Sequence, residues 1–133
     1  MVARIPRFLI ALASLLSAMG GAVHAAAFRK AQTAILASNL PHFYEASSKG
    51  LWLADSATLL VVAAIFGLVA ALPAAATRPI VVMVALIPAA TAVLLYVFLG
   101  NFFAGHLLMA IAALALLASP GFPKMHSCPQ QRS

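Results

Sequence analysis

Charged side chains are scarce in this 133-residue sequence: they make up 8% of the residues, and only two are acidic. A soluble domain of ordinary composition carries about 25% charged residues. With 65% hydrophobic residues as well, the composition excludes a water-soluble globule. Cysteine is almost absent, and the single Cys128 excludes an intramolecular disulfide.

Several chemical signatures are also missing from the sequence. It contains no phosphate-cradling glycine loop, nucleophile elbow, paired-cysteine zinc motif or haem-attachment motif. The net charge of +6 would suggest nucleic acid in a soluble protein. Here the basic residues flank apolar segments, which indicates membrane topology and contact with anionic headgroups. We therefore expect the lipid bilayer as partner, no nucleic acid and no required cofactor. Further copies of the chain or other membrane proteins stay open as additional partners.

Long apolar stretches fill most of the chain. Each approaches the roughly 20 residues that an α-helix needs to cross the hydrocarbon core, and lipid offers no hydrogen-bond partners to an open backbone. We therefore predict an all-α, integral membrane four-helix bundle with short loops. Residues 1–119 form this domain and residues 120–133 a mobile cytoplasmic tail. The predicted spans are 8–28, 51–72, 80–99 and 102–118.

The first apolar stretch has two interpretations. Its basic start and the small-x-small residues 23–25 resemble a cleaved signal peptide. Its length favours a retained helix, as does a stripe of small residues that would let another helix approach closely. A retained helix is the preferred interpretation, and cleavage of residues 1–25 the alternative. The stripe consists of Ala13, Ser17, Gly21 and Ala25.

Basic residues predict the orientation. With four spans, the side of the N-terminus receives five Lys or Arg residues and the other side three, which favours cytoplasmic termini. The longest connection is predicted to contain a short amphipathic helix at 42–49, capped by Asn39 and bent at Gly50 before the second span.

Three ionisable residues, His24, Asp55 and His106, lie within the spans, roughly 7–9 Å from one membrane boundary. Because an ionisable group facing lipid is costly, we expect them to form a polar cluster in which Asp55 accepts hydrogen bonds from one or both histidines. Such a cluster serves helix–helix contact, proton transfer or metal binding; two histidines and a carboxylate suit zinc or iron. The structural role is preferred.

Other residues are weaker candidates for a functional role. His42 and Glu45 could extend a metal site, but more often form a solvated polar face. The tail contains the soft-ligand group Met125, His126 and Cys128. An aromatic belt at the interface is predicted from Phe43, Tyr44, Trp52 and Tyr96.

The run from Lys49 to Ser56, KGLWLADS, followed by an apolar span, resembles small bacterial four-helix inner-membrane proteins grouped as a domain of unknown function. The resemblance implies the same fold and location but no catalytic residue. Small multidrug-resistance transporters have a similar length, but they carry a glutamate deep in the first helix that this sequence lacks. The preferred function is therefore a non-enzymatic accessory or structural membrane component. The alternatives are a proton- or ion-coupled transporter, and a metal- or haem-binding redox protein using the three polar residues.

Overall fold

The computed structural model describes residues 4–73 and 76–124. Within those residues the chain forms five α-helices, and a short 3-10 helix, Ser119–Gly121, follows the last of them. The α-helices are α1 (Arg4–Ala26), α2 (Phe28–Ala37), α3 (His42–Ala71), α4 (Arg78–Leu99) and α5 (Phe103–Ala118).

Four segments are long and apolar enough to cross a membrane: α1, α3, α4, and α5 with its 3-10 extension. Large apolar side chains point outward along them; Phe8, Leu117 and Phe98 are 66%, 71% and 79% exposed. An exposed apolar surface of this extent is stable in lipid rather than in water. The predicted class, an all-α integral membrane four-helix bundle, is confirmed.

The first helix is central to the packing. α1 lies between α3 and α5, while α4 packs on the other side of α5. The small-residue stripe of α1 is buried at Ala13, Ser17 and Gly21. A Cβ atom added to Gly21 would lie 3.1 Å from Leu60 of α3. The prediction that this stripe permits close helix approach is therefore confirmed.

The connection between the first two spans contains the predicted short helix, but at a different position. Residues 42–49 do not form a separate helix; they are the first turns of α3, which continues through Gly50 without interruption. The short helix between the spans is α2, which lies earlier in the chain, directly after α1. Asn39 does not cap α3, whose N-cap is Pro41. Asn39 instead adopts a left-handed conformation, φ 51°, directly after the C-cap of α2, where such residues commonly end a helix.

Contacts at the opposite end of the bundle hold the start of α1 against the end of α3. The Arg7 Nε donates to the Ala70 carbonyl at 3.1 Å, which satisfies one of the free carbonyls at a helix C-terminus. Beyond α5 the chain folds back: Phe122 is buried, and the Arg78 N–H donates to the Pro123 carbonyl at 2.9 Å.

The first residues of the predicted mobile tail are therefore held against the bundle, because Phe122 is buried there. The remainder of that tail, with Met125, His126 and Cys128, lies outside the described residues.

Candidate functional site

His24 and Asp55 come together across the α1–α3 interface. His24 lies in the last turn of α1, and Asp55 lies about halfway along α3. Their Nε2 and Oδ2 atoms are 3.5 Å apart, an ion-pair contact when the imidazole is protonated, and the side chains are 29% and 39% exposed. The pair is therefore partly accessible from outside the bundle rather than sealed within it.

Trp52 completes this contact, one turn before Asp55. Its ring stacks on the His24 ring with centroids 4.2 Å apart and planes 10° from parallel. The indole Nε1–H donates to the His24 backbone carbonyl at 2.8 Å. The sequence predicts Trp52 in an interfacial aromatic belt, but the stacking and the hydrogen bond are both with His24 of α1. We call His24, Trp52 and Asp55 the HWD cluster.

Helical periodicity explains why α3 presents these groups to α1. Residues spaced at about 3.6 share one face of a helix, and six residues of α3 at this spacing form a largely polar strip on its less exposed side. On α1, Gly20 and Gly21 precede His24 by about one turn, and their lack of side chains lets the backbones approach. The strip comprises Glu45, Ser48, Trp52, Asp55, Ser56 and Leu59.

His106 does not join the cluster. Its Nδ1 lies 2.8 Å from the Tyr96 hydroxyl, and its Nε2 contacts the Asn101 Oδ1. A neutral ring with its hydrogen on Nε2 accepts from Tyr96 and donates to Asn101, so both nitrogens are satisfied. His106 is exposed while its neighbour Gly105 is buried. The expected single three-residue cluster is therefore divided into two contacts, one on α1–α3 and one on α4–α5.

Metal ligation receives little support from this arrangement. Among the described residues no three His, Cys, Asp or Glu side chains lie close enough to hold an ion, whereas a zinc site uses three or four protein ligands. The weaker candidate pair for metal binding is His42 and Glu45. Glu45 forms an ion pair with Lys49, one turn later on α3.

Glu45 precedes the apolar part of α3. The hydrogen bond donated by Lys49 lowers the pKa of Glu45, opposed by desolvation and reinforced by the charges of Lys49 and His42. The ion pair of Glu45 is thus formed within α3.

One further polar contact was not predicted. The Ser14 hydroxyl donates to the Ala63 carbonyl of α3 at 2.7 Å. In the sequence, Ser14 follows directly after Ala13 of the small-residue stripe. This position beside the stripe is the sequence feature that could have predicted its contact with α3. Side-chain hydrogen bonds thus join α1 and α3 at three levels: Arg7 near one end, Ser14 in the middle and Trp52 near the other end.

The fold defines a multi-pass, all-helical membrane protein. The chain matches no protein-family model, no curated protein and no solved structure. The resemblance to small bacterial inner-membrane proteins therefore stays a prediction, and the function has to be argued from the contacts alone.

Proposed function

We propose that the protein is a non-enzymatic component of the bacterial inner membrane, an accessory subunit or helical scaffold. In this proposal the HWD cluster fastens α1 to α3. The observation that supports the proposal is that the polar groups of the cluster contact one another across the α1–α3 interface. The His24 ring contacts Trp52 and Asp55, and the His24 carbonyl accepts a hydrogen bond from Trp52. Polar groups arranged in this way stabilise helix association in a membrane.

The packing of α1 in the core supports a retained first helix. α1 provides the shared interface for α3 and α5, and cleavage after Ala25 would remove Ile10, Ala13 and Ser17 from the core. The mass of the protein extracted from membranes tests this directly. We expect residues 1–25 to be present, and a mass that lacks them would contradict the scaffold proposal.

A double-mutant cycle tests the role of the cluster. We expect Asp55→Asn and His24→Gln each to lower unfolding stability in detergent or bicelles, with a coupling energy of about 0.6 kcal/mol and at most about 1.7 kcal/mol. Glu45→Gln is the matched control, because Glu45 pairs with Lys49 of its own helix. A coupling energy of zero between Asp55 and His24 would contradict the proposed fastening.

Proton transport is the second candidate function, favoured by the partial exposure of the only two ionisable side chains of the cluster. Proteoliposomes with an applied pH gradient distinguish it from the scaffold role. The scaffold proposal predicts equal, background flux for wild type and Asp55→Asn. A wild-type flux that Asp55→Asn abolishes and Glu45→Gln retains would establish the transporter instead.

A further inference from the structure

A groove lies between α3 and α4, away from the HWD cluster and at the other end of the bundle. It has a volume of about 240 Å³ and an entirely apolar lining. Val69 and Ala76 form its buried floor, while Leu68 and Leu72 are 61% and 60% exposed along its wall. The lining consists of Ile65, Leu68, Val69, Leu72, Ala76 and Ile80.

The shape of the groove suits a hydrocarbon chain. From Ile65 to Leu72 the wall follows α3 for about 10 Å along the helix axis. α3 and α4 contact each other far less extensively than either contacts its main partner helix, so the groove faces lipid. One end lies at the α3–α4 connection, at the level of the interface, and the other extends towards the middle of the membrane.

Two basic residues lie at the interfacial end. Arg78 begins α4 and is two residues from both Ala76 and Ile80 of the groove. Because the Arg78 N–H bonds to the Pro123 carbonyl, the next residue, Lys124, starts beside it. Both side chains are exposed. We call Arg78 and Lys124 the basic rim.

No side-chain carboxylate balances this charge. The sequence has two acidic residues, Glu45 and Asp55, and both lie towards the opposite end of the bundle. Arg4 and Arg7 add two more exposed cations at the end that carries the basic rim. A second copy of the chain docked through this groove would bring like charges together.

We infer that the groove and the basic rim bind an anionic phospholipid. One acyl chain occupies the groove, and the phosphate lies between Arg78 and Lys124. Basic sites between membrane helices recognise lipid headgroups in this manner, each cation contributing attraction to an anionic surface. The inference does not depend on the role of the HWD cluster.

Lipid titration of the full-length protein, followed by native mass spectrometry, tests the inference. The probes are phosphatidylglycerol and phosphatidylcholine with identical acyl chains. We expect tighter binding of phosphatidylglycerol, and the double variant Arg78→Gln/Lys124→Gln to weaken it about 30-fold. The loss for phosphatidylcholine should be smaller, because its choline cation offsets the charge of the phosphate. The matched control is Arg29→Gln/Lys30→Gln, which removes the same charge from exposed positions at the opposite end and should bind like wild type.

A groove-filling variant tests the acyl-chain part. Leu72→Trp changes a largely exposed side chain, so the fold is retained while the groove narrows, and binding of both lipids should fall. Equal wild-type affinity for the two lipids would overturn the inference. So would equal losses in the two charge variants, or a change in oligomeric state with Leu72→Trp that leaves lipid binding intact.

Discussion

At the residue scale, the cluster shows how one side chain can serve several contacts. Trp52 offers a flat apolar face to the His24 ring and a polar N–H to the His24 carbonyl. An amphipathic aromatic ring is suited to this depth, where apolar packing and a hydrogen bond are both required. Asp55, one turn further along α3, adds a carboxylate near Nε2 of the imidazole.

The stacking gives the protein an optical reporter, since Trp52 is the single tryptophan of the chain. An aromatic ring stacked on the indole covers one of its faces and alters its surroundings. We expect His24→Gln to change the intensity or emission maximum of Trp52 fluorescence. His106→Gln, on the α4–α5 side, should leave the wild-type spectrum unchanged. Identical spectra for wild type and His24→Gln would contradict the stacked arrangement.

At the scale of the element, glycine favours the packing of one helix and weakens another. Gly21 of α1 lies against α3, where an added Cβ would be 3.1 Å from Leu60 and 3.2 Å from Leu59. Gly50 of α3 has no atom within 4 Å of the corresponding position among the described residues. Gly21 is thus required by packing, whereas Gly50 only weakens the helix in which it lies.

Two substitutions test this contrast. Gly21→Val should separate α1 from α3 and destabilise the protein by about 1–3 kcal/mol, a typical cost of overpacking. Gly50→Ala should stabilise α3 by about 0.5–1 kcal/mol, because glycine in a helix interior is unfavourable relative to alanine. Reversible unfolding in mixed micelles measures both values. If Gly50→Ala instead destabilised the protein, α3 would need a bend at this position, which is what the sequence predicts.

At the scale of the whole molecule, charge is distributed unequally between the two ends. The end with Arg7 and Arg78 carries basic residues without a balancing carboxylate. At the other end, the Glu45–Lys49 pair and Asp55 offset much of the charge. The positive-inside rule counts Lys and Arg residues rather than net charge, and the first end carries more of them. We therefore predict that the first end faces the cytoplasm.

Cysteine labelling tests this topology. In a Cys128→Ser background, a cysteine at Ser38 or Asn101 should react with an impermeant maleimide added to intact spheroplasts. A cysteine at Pro123, an exposed position at the opposite end of the bundle, should react only after the membrane is opened. Labelling of Pro123→Cys in intact spheroplasts, or opposite results for positions 38 and 101, would contradict the four-span arrangement.

The sequence by itself determined the spans and the fold class, because a bilayer imposes both the length and the helical form of every crossing segment. It also determined the polar strip of α3 and the small-residue stripe of α1, since helical periodicity is a local property. The early start of α3 could not be read in the same way, because Gly50 and Pro41 are as compatible with a break as with continuity.

Only the tertiary structure decided which helices are neighbours. Equal depth in the membrane did not place His106 beside Asp55, because α5 turns that side chain towards Tyr96 and Asn101. The same packing put Trp52 against α1 and Phe122 against the bundle. Contacts of this kind depend on how the helices are rotated about their axes and on their order around the bundle. Hydrophobic length and spacing along one chain do not specify either of these.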